Sequence, residues 1–131
     1  MTLQNLEQVR ARHALAFAKS EAPKHGANGG EAMKKIPSMI MANGLLAAIA
    51  FAMEQRRTGL ARPGFSAAFD DIAKHLSSPE IGITENVTTA NGLIDYLTKA
   101  DSETLKLATA EALEWLGYAR RFVTNQEGDQ S

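Results

Sequence analysis

The chain has no cysteine. Disulfides, thiolate nucleophiles and cysteine-based metal sites are therefore excluded, and the absence fits a reducing compartment, so the cytoplasm is the expected location. Aromatic residues are scarce, at 6 % of the chain. Trp115, Tyr96 and Tyr118 are the main rings on which a base could stack, and Trp115 falls on an apolar stripe that predicts a core role. Neither sign of charge is in marked excess: 14 Lys and Arg stand against 15 Asp and Glu, a formal net charge of −1, so overall charge gives no pointer to nucleic acid. The longest apolar run, Leu45 to Met53, is about half of the roughly 20 residues that a spanning helix needs, and no membrane partner is expected. The opening Met1-Thr2-Leu3-Gln4-Asn5-Leu6-Glu7 is amphipathic rather than basic and then apolar, and does not read as a secretory leader.

What is present is ordinary globular composition: 131 residues, 44 % hydrophobic and 22 % charged. A chain of that length buries about two-thirds of its unfolded surface, and one domain over residues 1–131 is expected. Apolar positions Leu3, Leu6, Val9, His13, Ala16 and Phe17 recur every three or four residues and predict a first amphipathic helix, capped by Thr2 and ending before Pro23. Residues 22–30, rich in Gly, Asn and Pro, predict a loop. Glu31 to Ile36 predicts a short helix that Pro37 breaks or kinks, because proline lacks the amide donor and crowds the preceding turn. Leu45 to Arg57 is apolar on nearly every side, which predicts the buried central helix of the domain.

Thr58 to Gly64 reads as a second loop. Phe65, Phe69, Ile72, Ala73 and Leu76 then mark a further amphipathic helix ending near Ser77-Ser78-Pro79. Pro79 to Val87 is irregular, with Ile81, Ile83 and Val87 leaving room for a strand-like piece. Thr89 or Asn91 starts the next helix. Asp101 or Ser102 caps the last one, whose stripe is Leu105, Ala108, Ala112, Trp115, Leu116, Ala119 and Val123. Residues 125–131 are expected to form a disordered tail. No long alternating pattern competes, so the fold class is all-α, a compact bundle of about six helices around a central buried helix. Ala42-Asn43-Gly44-Leu45 recurs as Ala90-Asn91-Gly92-Leu93, four residues that suit a helix entry or kink without establishing a duplication.

Catalytic constellations are hard to find. His13, His25 and His75 lack a second histidine or carboxylate at metal-motif spacing, so no metal site is expected. His13 reads as a packed or half-exposed helix residue, His25 as solvated, and His75 as a surface residue near a helix C-terminus, where the charged form is favoured. Asp70-Asp71 and Glu111 with Glu114 read as solvated faces or ion-pair partners. Gly26 to Gly30 lacks the lysine and the preceding strand of a phosphate loop, and no cofactor is expected. An enzyme would need a pocket that gathers His13 or His75 with carboxylates; the expectation is no enzyme. Basic residues come in small groups: Arg10 with Arg12, Lys34 with Lys35, Arg56 and Arg57 with Arg62, and Arg120 with Arg121. Such charges read either as ordinary solvated helix faces or as a shared basic face that meets phosphate rather than bases.

The run Lys34-Lys35-Ile36-Pro37-Ser38-Met39-Ile40-Met41-Ala42-Asn43-Gly44-Leu45-Leu46-Ala47-Ala48-Ile49-Ala50-Phe51 resembles the central motif of the small subunit of type III-B CRISPR (Cmr) effector complexes, with its proline, apolar pair, Asn-Gly-Leu and closing aromatic in that order. The run Glu111-Ala112-Leu113-Glu114-Trp115-Leu116-Gly117-Tyr118-Ala119-Arg120-Arg121-Phe122 is similar to the last helix of the same family. The resemblance implies a small all-α structural subunit without nuclease activity. It implies several copies stacked as a filament beside the backbone subunits, which hold the guide RNA and cut the target, and a shared groove for target RNA paired with guide RNA. Carried over to single residues, it makes Lys34, Lys35, Arg120 and Arg121 candidates for phosphate contact. Arg56 and Arg57 join them with one departure, since the family's pattern has a lysine where Gln55 stands. The small subunit of the type III-A complex is the nearest alternative, and a helical adaptor that binds protein only is a reading from another class.

Overall fold

A computed structural model describes residues 5–21, 31–57 and 63–130, with side chains described except at 20, 21, 31, 55–57, 63 and 124–130. Six helices account for nearly all of it: α1 (Leu6–Glu21), α2 (Glu31–Asn43), α3 (Leu45–Arg57), α4 (Pro63–Ser77), α5 (Ala90–Lys99) and α6 (Ser102–Gln130). No strand occurs among the described residues, and the expected all-α bundle is the fold. The expected loop at 22–30 lies outside the described residues.

Several element ends are set by local chemistry. α1 starts at Leu6, three residues later than its apolar pattern suggests, because Asn5 caps it: Asn5 Oδ1 accepts from the Gln8 amide at 2.9 Å, and Gln8 Oε1 accepts from the Asn5 amide at 3.0 Å. Thr2, the expected cap, lies outside the described residues. Thr89 caps α5 by accepting from the Gly92 amide at 3.0 Å, and Asp101 caps α6 by accepting from the Thr104 amide at 2.8 Å. That bond holds the Asp101 carboxyl below its ordinary pKa.

Two expectations are corrected. Pro37 does not break α2, which runs through it to Asn43; the break falls at Gly44, whose φ of 94° is open to glycine at no steric cost. The Gly44 amide still donates to the Ile40 carbonyl at 2.7 Å, closing α2 as α3 begins. Nor is α3 the central helix. It packs against α2, α4 and α5 but leaves Ala47, Ala50 and Phe51 exposed, whereas α4 packs against every other helix. The apolar breadth of α3 comes largely from alanines, which add little area and tolerate water. α6 is the longest helix, Ser102–Gln130, since extending an existing helix carries no nucleation cost.

The core joins all six helices. Trp115, Phe17, Phe69, Met33, Ile36, Leu45, Ile49, Ile72, Leu76, Leu93, Leu97 and Leu116 are its largest fully buried side chains. α1 and α6 lie side by side in the same direction: Arg10 meets Glu111, and two turns on Phe17 meets Trp115 with ring centroids 5.2 Å apart. The 78–89 connection is irregular, as expected, and is tied to the end of α4: Ser77 Oγ lies 2.6 Å from Thr84 Oγ1 and accepts from the Val87 amide at 3.0 Å. The two Asn-Gly sequences serve different ends, one as the α2–α3 break and the other inside the first turn of α5, so the echo is not a structural repeat.

Candidate functional site

The basic candidates occupy three helices. Lys34 and Lys35 are exposed on α2, flanked by the buried Ala32, Met33 and Ile36; Arg120 and Arg121 are exposed on α6, beside the buried Ala119 and Val123. α2 packs on α6, so these two pairs stand on neighbouring helices. Arg56 and Arg57 form the end of α3, and their side chains lie outside the described residues. The rings that could stack on bases are less available: Trp115 is fully buried, and Tyr96 and Tyr118 are half-buried against the core.

A second constellation lies where α1, α4 and α6 meet. His75 is only 2 % exposed and Glu111 only 7 %, and the two are 2.9 Å apart, His75 Nε2 to Glu111 Oε2. Arg10 grips the same carboxylate with two bonds, Nε to Oε2 at 2.7 Å and a terminal guanidinium nitrogen to Oε1 at 2.8 Å. On the other side of His75, its Nδ1 lies 2.8 Å from Nδ1 of the half-buried His13, with the rings nearly perpendicular. The expectation that His75 is a surface residue favouring the charged form is therefore wrong. It sits on the buried side of α4 between Ile72 and Leu76, and burial outweighs any gain at the helix end.

The electrostatics follow from that burial. Burial pushes the His75 pKa below its ordinary value, against the opposing pull of Glu111. His13 is lowered for the same first reason, with the neighbouring Arg12 adding to it. For Glu111, burial raises the carboxyl, but hydrogen bonds from Arg10 and His75 more than offset this and hold it below the ordinary carboxylate range. The Arg10 guanidinium is raised by its bond to Glu111. An ionised Glu111 can only accept, so His75 Nε2 carries a hydrogen. Arg12 and Glu80 form an exposed ion pair beside His13.

This is the gathering of histidine and carboxylate that an enzyme would require, yet its members are spent on one another. Both Glu111 oxygens are occupied, and the His75 side chain has no exposed surface. Two ring nitrogens 2.8 Å apart are also closer than two ligands on one zinc ion, which stand about 3.3 Å apart in a tetrahedral site. Among the described residues no group of three His, Asp or Glu is placed to hold a metal.

The molecule defined by these features is a small helical bundle with a closed internal polar cluster and exposed cations on two adjoining helices. The family model described as CRISPR-associated protein (Cas_Cmr5) matches residues 6–126, and the chain belongs to that family, the small subunit of the type III-B Cmr complex. The match decides against the type III-A alternative. Within the complex this family is an accessory subunit rather than the catalytic one, and it associates with the other effector subunits. Comparison with curated proteins and with solved structures finds no match. No helix among the described residues is long and apolar enough to cross a membrane.

The resembling motifs have a structural basis. In the first, Ile36, Ile40, Leu45, Ala48 and Ile49 are buried on either side of the Gly44 break, and in the second Trp115 and Leu116 are buried. The internal cluster was not foreseen, although a signal existed. His13 lies one turn from both Val9 and Phe17, His75 three residues after Ile72, and Glu111 three after Ala108 and four before Trp115, all on buried stripes.

Proposed function

We propose that this chain is a non-catalytic structural subunit of the type III-B effector complex in the cytoplasm, stacked as a filament of its own copies beside the backbone subunits and helping to form the groove for target RNA paired with guide RNA. The observation that carries the RNA part is the exposure of Lys34 and Lys35 on α2 and of Arg120 and Arg121 on the adjoining α6. Arg56 and Arg57, at the end of α3, make a third candidate pair. Four cations on two packed helices suit a phosphate backbone, whereas burial of Trp115 leaves little for base stacking, so the contact is independent of target sequence. The near-neutral net charge makes the isolated subunit a weak RNA binder; the groove is completed by its neighbours.

The test is target-RNA binding across a salt series, by the complex assembled with and without this subunit. With the subunit present, affinity should be higher and should fall more steeply with salt. Equal affinity and equal slope would leave a protein-binding scaffold with no part in the groove.

A further inference from the structure

We propose that the His13–His75 pair is a proton-counted latch between α1 and α4, which stays closed with one hydrogen between the two rings and opens when a second must be placed there. The two Nδ1 atoms are 2.8 Å apart, a distance that accommodates one hydrogen and not two. In the neutral pair, His75 donates from Nε2 to Glu111, its Nδ1 is bare, and His13 Nδ1–H donates to it. A first added proton leaves this contact intact. It goes to the outer Nε2 of His13, or the pair rearranges so that a doubly protonated His75 donates to both Glu111 and His13. In either form a single hydrogen lies between the rings. A second added proton makes both rings cationic with a hydrogen on each Nδ1, and the contact cannot survive.

The surroundings set how this is reached. Arg10 and Arg12 on α1 and Lys74 on α4 oppose added charge; Glu111 and Glu114 on α6, Asp71 on α4 and Glu80 in the 78–89 connection favour it. Arg10 engages Glu111, Lys74 lies 3.9 Å from Asp71, and Arg12 is paired with Glu80, so the one carboxylate in excess of the cations is the exposed Glu114, 3.8 Å from Arg10. A small cavity of about 190 Å³ lined by His13, Ala16, Asp71, Lys74, His75 and Ser78 gives water a path to the half-buried His13 side of the pair. α1 is otherwise held chiefly by α6, so loss of the latch loosens the helix on its α4 side first. The latch rests on this internal geometry and not on the RNA reading.

The experiment is nitrogen-15 NMR of the imidazoles in the full chain between pH 8 and pH 4.5, with amide exchange of α1 and α4 read in parallel. Expected are a His75 with hydrogen on Nε2 at pH 8 and two separate protonation steps. α1 amides should stay protected through the first step, then lose protection about tenfold for each pH unit below the second, relative to α4. His13→Gln, whose amide donates to His75 Nδ1 but cannot be protonated, should abolish that loss; His13→Asn provides a second uncharged donor should the first fold poorly. Two independent single-step titrations, or α1 protection that follows α4 throughout, would overturn the latch.

Discussion

Glu111 supports more of the interior than its place on a long helix suggests. Its two oxygens satisfy Arg10 and His75 together, joining α1 and α4 to α6 through one carboxylate. Removing it leaves the buried His75 N–H without an acceptor and Arg10 with only the more distant Glu114, 3.8 Å away, and Glu111→Ala should cost about 3 kcal/mol in urea denaturation. Glu111→Gln keeps one acceptor and should cost less. Trp115 gives a contrasting case. It is fully buried, but its Nε1 hydrogen has no partner among the described residues, so the indole contributes volume and ring contacts there rather than a hydrogen bond. Trp115→Ala should cost about 3–5 kcal/mol, whereas Trp115→Phe, which removes the unpaired donor and keeps most of the packing, should cost under about 2 kcal/mol. Equal losses for the two variants would mean that the N–H is bonded. The packing role of Trp115 was legible in its three-and-four spacing. The histidine–carboxylate cluster was not, because its partners are 36 and 62 residues apart in the chain and no short motif encodes such a meeting.

Among the elements, helix positions followed directly from apolar spacing, and errors gathered where two local rules competed. Proline argued for a break at position 37, and glycine in an Asn-Gly pair for one at 44. The chain turns at the glycine, since a left-handed residue ends the helical path whereas an internal proline costs one backbone hydrogen bond and can be carried by tertiary packing. Gly44→Ala should therefore destabilise by about 1–2 kcal/mol through backbone strain alone, because a Cβ there would meet nothing within 4 Å. No loss in thermal or urea denaturation would show that the turn is not held left-handed. The misplacing of the bundle's centre has a similar origin. Hydropathy counts the alanines of α3 as fully as the phenylalanines of α4, although Phe65, Phe69, Ile72 and Leu76 bury far more area per residue and draw the other helices round them.

At the scale of the whole molecule, the buried histidines make stability depend on pH with a definite sign. Both have folded-state pKa values below the ordinary 6.5, so the unfolded chain takes up protons first as pH falls. Their contribution is complete above about pH 6.5 and declines as pH falls from there toward the lowered folded values; that of Glu111 persists to lower pH and is lost below the ordinary carboxylate value of 4.5. Urea midpoints should be highest near neutrality and fall on acidification, and His13→Gln should flatten the upper part of the fall. A midpoint that rose between pH 7 and pH 5.5 would reverse this assignment. The proposed self-stacking and RNA contact, by contrast, would use surfaces on which composition is silent, since a net charge of −1 conceals where the cations stand.

The most direct measurement of the proposed role is target-RNA affinity of the reconstituted effector complex carrying Lys34→Glu, Lys35→Glu, Arg120→Glu and Arg121→Glu together, across a salt series, with complex assembly and the subunit's fold verified alongside. Expected is a loss of at least about tenfold at physiological salt and a shallower dependence of log affinity on log salt, by about 0.7 for each single-strand phosphate contact removed. An assembled complex with unchanged affinity and unchanged slope would contradict a place for these helices in the RNA groove.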